Sequence, residues 1–204
     1  FVIDLEKPDA PAVLGKLKIP GYSDYLHPMD DTHLIGVGKN AVDAEDTNFA
    51  WYQGMKLAIF DVSDVEHPRE MWNTEIGDRG TDSPALHDHK AFLYSPSKQL
   101  LVLPVQLAQL SAEQKASTTT QANEYGETIY QGAYVYHLTL DKGFDLVGRI
   151  THHVTNDAFQ RSGYWFGDWN ENIDRAHYVD NSLLTFSPAA IQLHRITDLQ
   201  PQGQ

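Results

Sequence analysis

The chain has 204 residues and a mass of 23.0 kDa, room for one domain with a sizeable core, and its 15 Lys and Arg against 28 Asp and Glu leave a net charge of −13. That balance argues against a phosphate-backbone partner, which needs clustered cations, and against anionic membrane surfaces. Cysteine is absent, which removes disulfides, thiolate zinc sites and cysteine nucleophiles, and no apolar run approaches the roughly 20 residues that span a bilayer.

The chain opens at Phe1-Val2-Ile3-Asp4-Leu5, inside a strand pattern and with neither Met nor signal peptide, so it is expected to be a piece of a longer protein. Short β-branched or alternating runs bounded by Gly, Pro, Asp and Asn then follow one another. They occupy residues 13–19, 25–29 and 34–37, then 57–60, 70–76, 90–94 and 100–105, then 129–135, 144–151, 176–180, 183–186 and 191–199. Turn residues fall between them at Asp30-Asp31, Ser95-Pro96-Ser97 and Asn181-Ser182. Two polar stretches interrupt the pattern, residues 39–50 and 106–128. The second carries a Ser-capped helical turn from Ser111 to Lys115 and the low-complexity Ser117-Thr118-Thr119-Thr120. Both are expected on the same rim of the molecule.

The runs repeat. Asp4-Leu5-Glu6-Lys7-Pro8 has the skeleton of Asp61-Val62-Ser63-Asp64-Val65, with an apolar strand before each and a Pro after each. Tyr52-Gln53-Gly54 returns as Tyr130-Gln131-Gly132, and Thr197-Asp198-Leu199 stands where Ser63-Asp64-Val65 does. About four antiparallel strands per unit predict an all-β fold of propeller-type blades, three to four in number, within a single domain over residues 1–204. Such a count does not close a ring. Either the domain is the C-terminal part of a larger propeller, or copies associate through open blade edges into a homo-oligomer.

The run Ile19-Pro20-Gly21-Tyr22-Ser23-Asp24-Tyr25-Leu26-His27-Pro28, the stretch Leu34 to Gly38, Asp61 to Val65, Ile76 to Leu93 and Gln131 to Val135 resemble a family of secreted proteins with a C-terminal β-propeller distantly related to WD40 repeats. The likeness extends to about residue 153 and weakens over residues 154–171. It implies a secreted, periplasmic or cell-surface location, and it brings no catalytic residues with it.

The densest polar cluster runs from Gly77 to Lys90. If His87 and His89 lie on one strand, their spacing puts both imidazoles on one face, where a divalent metal such as zinc could join them to Asp82 or Asp78. The competing reading is a ligand-binding or structural polar network of Asp78, Arg79, Asp82, His87 and His89, with His27 and His87 at equivalent blade positions. Asp168, Asn170, Asn172 and Asp174 alternate as in the start of a calcium loop, but Ile173 and Val179 replace the Gly and Glu that would complete it. His152-His153 at a strand end, with His177, reads as a surface feature. Phe159, Tyr164, Trp165, Phe166 and Trp169 are either an exposed binding face or the staple of a long insertion. Ser83, His87 and Asp88 lack a nucleophile elbow, and Gly36-Val37-Gly38 lacks the third Gly of a phosphate loop. The reading is a binding or assembly scaffold for a protein or glycan partner. The alternative is a hydrolase-like metal enzyme built on Asp78, Asp82, His87 and His89.

Overall fold

The computed structural model describes residues 1–44, 49–118, 121–154 and 169–203. Strands β1 (Val2–Asp4) and β2 (Ala12–Gly15) form a two-stranded antiparallel sheet. Three four-stranded meanders follow: β3 (Tyr22–Pro28), β4 (His33–Asp43), β5 (Ala50–Asp61) and β6 (Arg69–Ile76); β7 (Leu93–Ser95), β8 (Leu100–Gln109), β9 (Glu127–Thr139) and β10 (Gly143–Ile150); β11 (Arg175–Val179), β12 (Ser182–Phe186), β13 (Ile191–Arg195) and β14 (Pro201–Gly203). In each sheet the strands lie in chain order, so the described part of the molecule is three blades and a half-blade.

The repeat anchors all fall on third strands, β1, β5, β9 and β13, and this places the blade boundary differently from the sequence unit. Read from the anchors, a unit contains the third and fourth strands of one blade and the first two of the next. The half-blade at residues 2–15 is therefore a third and a fourth strand. The 70–76 run is the last strand of the first full blade, while 100–105 belongs to the second. Two strand expectations change further. Residues 90–94 are a 3-10 turn, His89–Ala91, followed by the short β7, and β4, β8 and β9 run well into the polar stretches as two long hairpin arms.

Middle strands are buried on both faces, which is why 34–38, 57–60, 100–105 and 133–136 read as nearly continuous apolar runs, whereas the outer β6 and β10 keep mostly polar, exposed residues. Ile35, Val37, Met55, Leu57 and Ile59 of the first blade pack on Leu101, Leu103, Tyr134 and Tyr136 of the second. The opposite face of the second blade, with Leu100, Val102, Ala133 and Val135, packs on Ile173, Ala176 and Leu183 of the third. At roughly 25 cal/mol per Å² of apolar surface, these two interfaces are the main stabilising term.

A second contact recurs at the outer edge, where the fourth strand of each blade meets the turn between the third and fourth strands of the next. Gly15 lies against the backbone of Val65 and Glu66, Trp72 donates its indole N–H to the Leu140 carbonyl (2.7 Å) beside Gly143, and Gly148 lies under Leu199. The turns share their chemistry: Asp4 accepts from the Glu6 N–H and Asp61 from the Ser63 N–H, each an Asx turn that reverses the chain. Arg69 adds two bonds to Asp61, and together these donors hold its carboxyl well below the usual carboxylate range.

The half-blade covers only part of the first blade's outer face. A cleft of about 710 Å³ remains between them, lined by Phe1, Val2, Leu17, Tyr22, Leu26 and Leu34 among others, and Leu26 is 51% exposed there. The corresponding face of the second blade carries the fully buried Leu101 and Leu103.

Candidate functional site

The site lies where the chain crosses from the first full blade to the second. Residues 77–82 run alongside the arm of β8. The Asp78 N–H donates to the Ala108 carbonyl (2.8 Å), Asp82 and Gln106 exchange two backbone bonds, and the buried Thr81 hydroxyl bridges both backbone groups of Ala108. This path needs two left-handed residues, Gly77 (φ +65°) and Gly80 (φ +107°); a side chain at Gly77 would also collide with the Thr81 hydroxyl.

The crossing carries Arg79 between the two long arms. Its guanidinium sits 4.2 Å from the centre of the Tyr52 ring, 4.5 Å from Tyr125 and 4.9 Å from Trp51. It donates to the Tyr52 carbonyl (3.1 Å) and the Tyr125 hydroxyl (3.2 Å), and it is 5% exposed with its Nε–H unpartnered. Among the described residues no carboxylate pairs with it, so a buried cation is stabilised by three π faces and neutral acceptors. Gln53 donates to the Ala122 carbonyl (2.8 Å), which ties the same two arms together.

The Tyr52 and Tyr125 hydroxyls meet at 2.7 Å. Accepting from Tyr52 and from Arg79 holds the Tyr125 hydroxyl below the ordinary phenol value, while donating to Tyr125 raises that of Tyr52. Tyr125 and Phe49 are each 54% exposed, and Phe49 stands edge-on to Trp51 with ring centres 4.7 Å apart.

The neighbouring cations are engaged. Lys39 binds the Thr81 carbonyl and Asp82 (3.0 Å), and Lys115 binds Asp78 (2.8 Å), which also accepts from the Leu110 N–H. Lys115 belongs to the short helix Ala112–Ala116, where Ser111 and Gln114 form the reciprocal cap expected from the sequence.

Asp78, Arg79 and Asp82 are therefore brought together, each tied to an arm, but His87 and His89 are not part of the group. The strand premise for this pair is overturned. Both histidines are exposed, His87 just after the 3-10 turn Pro84–Leu86 and His89 at the start of the next, His89–Ala91, because Ser83 and Asp88 cap those turns by accepting from the Ala85 and Lys90 amides. The equivalence of His27 and His87 fails for the same reason: His27 lies on β3 against Phe92 and Tyr94, in the packing between first strands. Ser83 is buried and its hydroxyl donates to the Pro104 carbonyl. Among the described residues no three His, Asp or Glu side chains converge closely enough to hold a metal ion.

Asp168 lies outside the described residues, as do Phe159, Tyr164, Trp165 and Phe166. Of the remaining calcium-loop positions, Asn170 sits in the 3-10 turn Trp169–Glu171 and Asp174 is exposed, while the Asn172 side-chain oxygen Oδ1 is taken by His153 Nε2 (2.8 Å). Trp169 is exposed.

His152 and His153 are buried, contrary to the surface reading, whereas His177 is exposed on β11 and stays apart from them. His152 is held between the Ser187 hydroxyl (2.8 Å) and the Thr185 hydroxyl (2.9 Å) of the third blade, and His153 contacts Glu171 (3.1 Å). His194 is buried with Nδ1 unpartnered. Burial first, then the neighbouring His194 and His153, lower His152 to about 4; burial lowers His194 as well.

The blades define a β-propeller. The β-propeller domain family model matches residues 1–199, and the chain belongs to that family. It is 39% identical over 104 residues to an uncharacterized protein of Methanocaldococcus jannaschii and 36% identical over 104 residues to an uncharacterized protein of Archaeoglobus fulgidus. Each match covers 51% of this chain and 15% of the relative, so the chain spans a small part of the length of these curated relatives. No solved structure matches it.

The sequence does not single out the aromatic residues of the site: Trp51 and Tyr52 stand beside the repeated Gln-Gly, ahead of the 57–60 run, and Tyr125 is a single aromatic in a polar stretch. Their meeting depends on two arms 73 residues apart in sequence.

Proposed function

We propose that this β-propeller domain is a binding scaffold of the secreted, periplasmic or cell-surface compartment, and that its partner is received on the rim built by the two long hairpin arms. The observation that carries this reading is the Arg79 clamp. A buried guanidinium fixes Trp51, Tyr52 and Tyr125 against the blades while Phe49, Tyr52 and Tyr125 keep open ring surface. Aromatic side chains held rigid in this way contribute contact area at little entropic cost, a common property of binding hot spots. The compartment rests on the sequence resemblance. Propellers host many functions, so the argument is made from this surface and not from the fold.

The test immobilises the chain and probes it with two panels, neutral oligosaccharides and a peptide array, in parallel with a Phe49→Ala/Tyr125→Phe variant. The expected result is at least one bound probe in either panel whose signal the variant loses while its melting temperature stays that of the parent. Identical profiles for parent and variant across both panels would remove the rim from consideration.

A further inference from the structure

Resting on the rim as the binding surface, we infer that its ligand is an uncharged carbohydrate, a pyranose chain seated across Phe49, Tyr52 and Tyr125. Three features of the rim select this chemistry. The first is the supply of ring surface. Phe49 and Tyr125 are both about half exposed, and the open face of a sugar ring, with its row of C–H bonds, packs on aromatic surface of this kind. The second is the hydroxyl pair. Tyr125 accepts from Arg79 and shares the 2.7 Å contact with Tyr52, so the two hydroxyls form one polarised pair with a donor and acceptor capacity to offer a ligand hydroxyl at the edge of the rings.

The third is charge. Lys39 and Lys115 are held by Asp82 and Asp78, and Arg79 is enclosed by rings. Among the described residues an acidic ligand would find no free cation at the clamp, and the chain's net charge of −13 would repel it. A cationic ligand would meet the carboxylates of Asp78 and Asp82 already paired. A neutral ligand that offers many hydroxyls and one apolar face fits all three conditions.

The experiment is calorimetric titration of the whole chain with neutral gluco-, manno- and N-acetylglucosamine oligosaccharides. Four proteins are compared: the parent, Phe49→Ala, Tyr125→Phe and, as a control on the outer strand β10, Leu146→Ser. Tyr125→Phe keeps the ring over Arg79 and removes the hydroxyl, which also accepts from Arg79 and meets Tyr52, so its melting temperature is measured beside the parent's to show that the clamp is still folded. One sugar series is expected to bind, with an affinity unchanged between low and high salt, weakened about tenfold by Phe49→Ala and about three- to tenfold by Tyr125→Phe, and unaffected by Leu146→Ser. Sugar binding that ignores both rim substitutions overturns the inference. Peptide binding at the rim without any sugar binding overturns it too but leaves the scaffold reading standing. Absence of both kinds of binding defeats the two together.

Discussion

At the level of single residues the chain keeps its strongest polar interactions at joints between elements. Arg79 is the clearest case, because its cost of burial is met by three rings and two oxygens and, among the described residues, by no carboxylate. A Lys at this position would retain the charge and lose the planar stacking and the forked donors. Arg79→Lys is therefore expected to lower stability by about 1–3 kcal/mol in chemical denaturation, and to change the tryptophan emission spectrum as the guanidinium leaves the Trp51 ring. An unchanged midpoint and spectrum would mean that the rings hold the arms without the cation.

The buried histidines give the molecule a second residue-scale property, a dependence on pH. His152 lies between two hydroxyls of the third blade with a folded pKa of about 4, below the ordinary 6.5. Between those values the unfolded chain binds the proton and the folded one does not, so stability is complete above about pH 6.5 and falls as the pH drops toward 4. A loss of roughly 2–3 kcal/mol across that window is expected from His152, with His194 adding in the same direction. His152→Gln, which can still bond to Thr185 and Ser187, should flatten the profile of melting temperature against pH. An equally steep profile in that variant would place the effect elsewhere.

At the level of elements the same glycine recurs for the same reason. Gly54 and Gly132 close the two Tyr-Gln-Gly anchors, and a β-carbon added at either would come within 2.1 Å of the carbonyl oxygen of Gly77 or Ile150, where the fourth strand ends against the third. Backbone cannot yield as a side-chain tip does, so Gly54→Ala and Gly132→Ala are each expected to cost roughly 2 kcal/mol or more. Gly203 on β14 has nothing within 4 Å of that position, so Gly203→Ala should be silent. The three melting temperatures, measured side by side, decide the matter. Beside these glycines the anchor glutamines have separate uses. Gln131 makes a two-way bond with the Ile173 backbone of the third blade, and Gln53 holds the Ala122 carbonyl of the opposite arm.

For the whole molecule the governing fact is that the face of the first blade toward the half-blade is covered less than its face toward the second blade. Leu57 is fully buried between the first and second blades, whereas Leu26 lies half exposed in the cleft beside β1 and β2. Leu57→Ala should therefore cost about 2–5 kcal/mol, and Leu26→Ala less than about 1 kcal/mol in the isolated chain. The uncovered face also predicts association of the purified chain. Light scattering is expected to show a mass that rises with concentration, and Leu26→Asp should return it to that of one chain; a single constant mass for the parent would show that the cleft is tolerated in water.

Much of this architecture is legible in the sequence, because strand, turn and repeat are local. Two-sided burial writes continuous apolar runs, Asx turns write Asp, and close backbone approaches write Gly, each within a few residues. The phase of the blades is not local: a tandem repeat reads the same from any starting strand, and only hydrogen bonding between strands decides that the anchors are third strands. The candidate site is less local still. Asp78, Arg79 and Asp82 are conspicuous as a polar run, but their partners lie on arms that meet only in three dimensions, and His87 and His89 are carried away from the group by two capped turns that alternation alone does not reveal. His152 and His153 look like surface residues until the third blade closes over them. The sequence by itself determined that this protein is made of repeated blades of about four strands, interrupted by two polar stretches. Only the tertiary structure decided which residues share a surface, because burial and charge pairing at the rim and between blades are made by segments far apart in the chain.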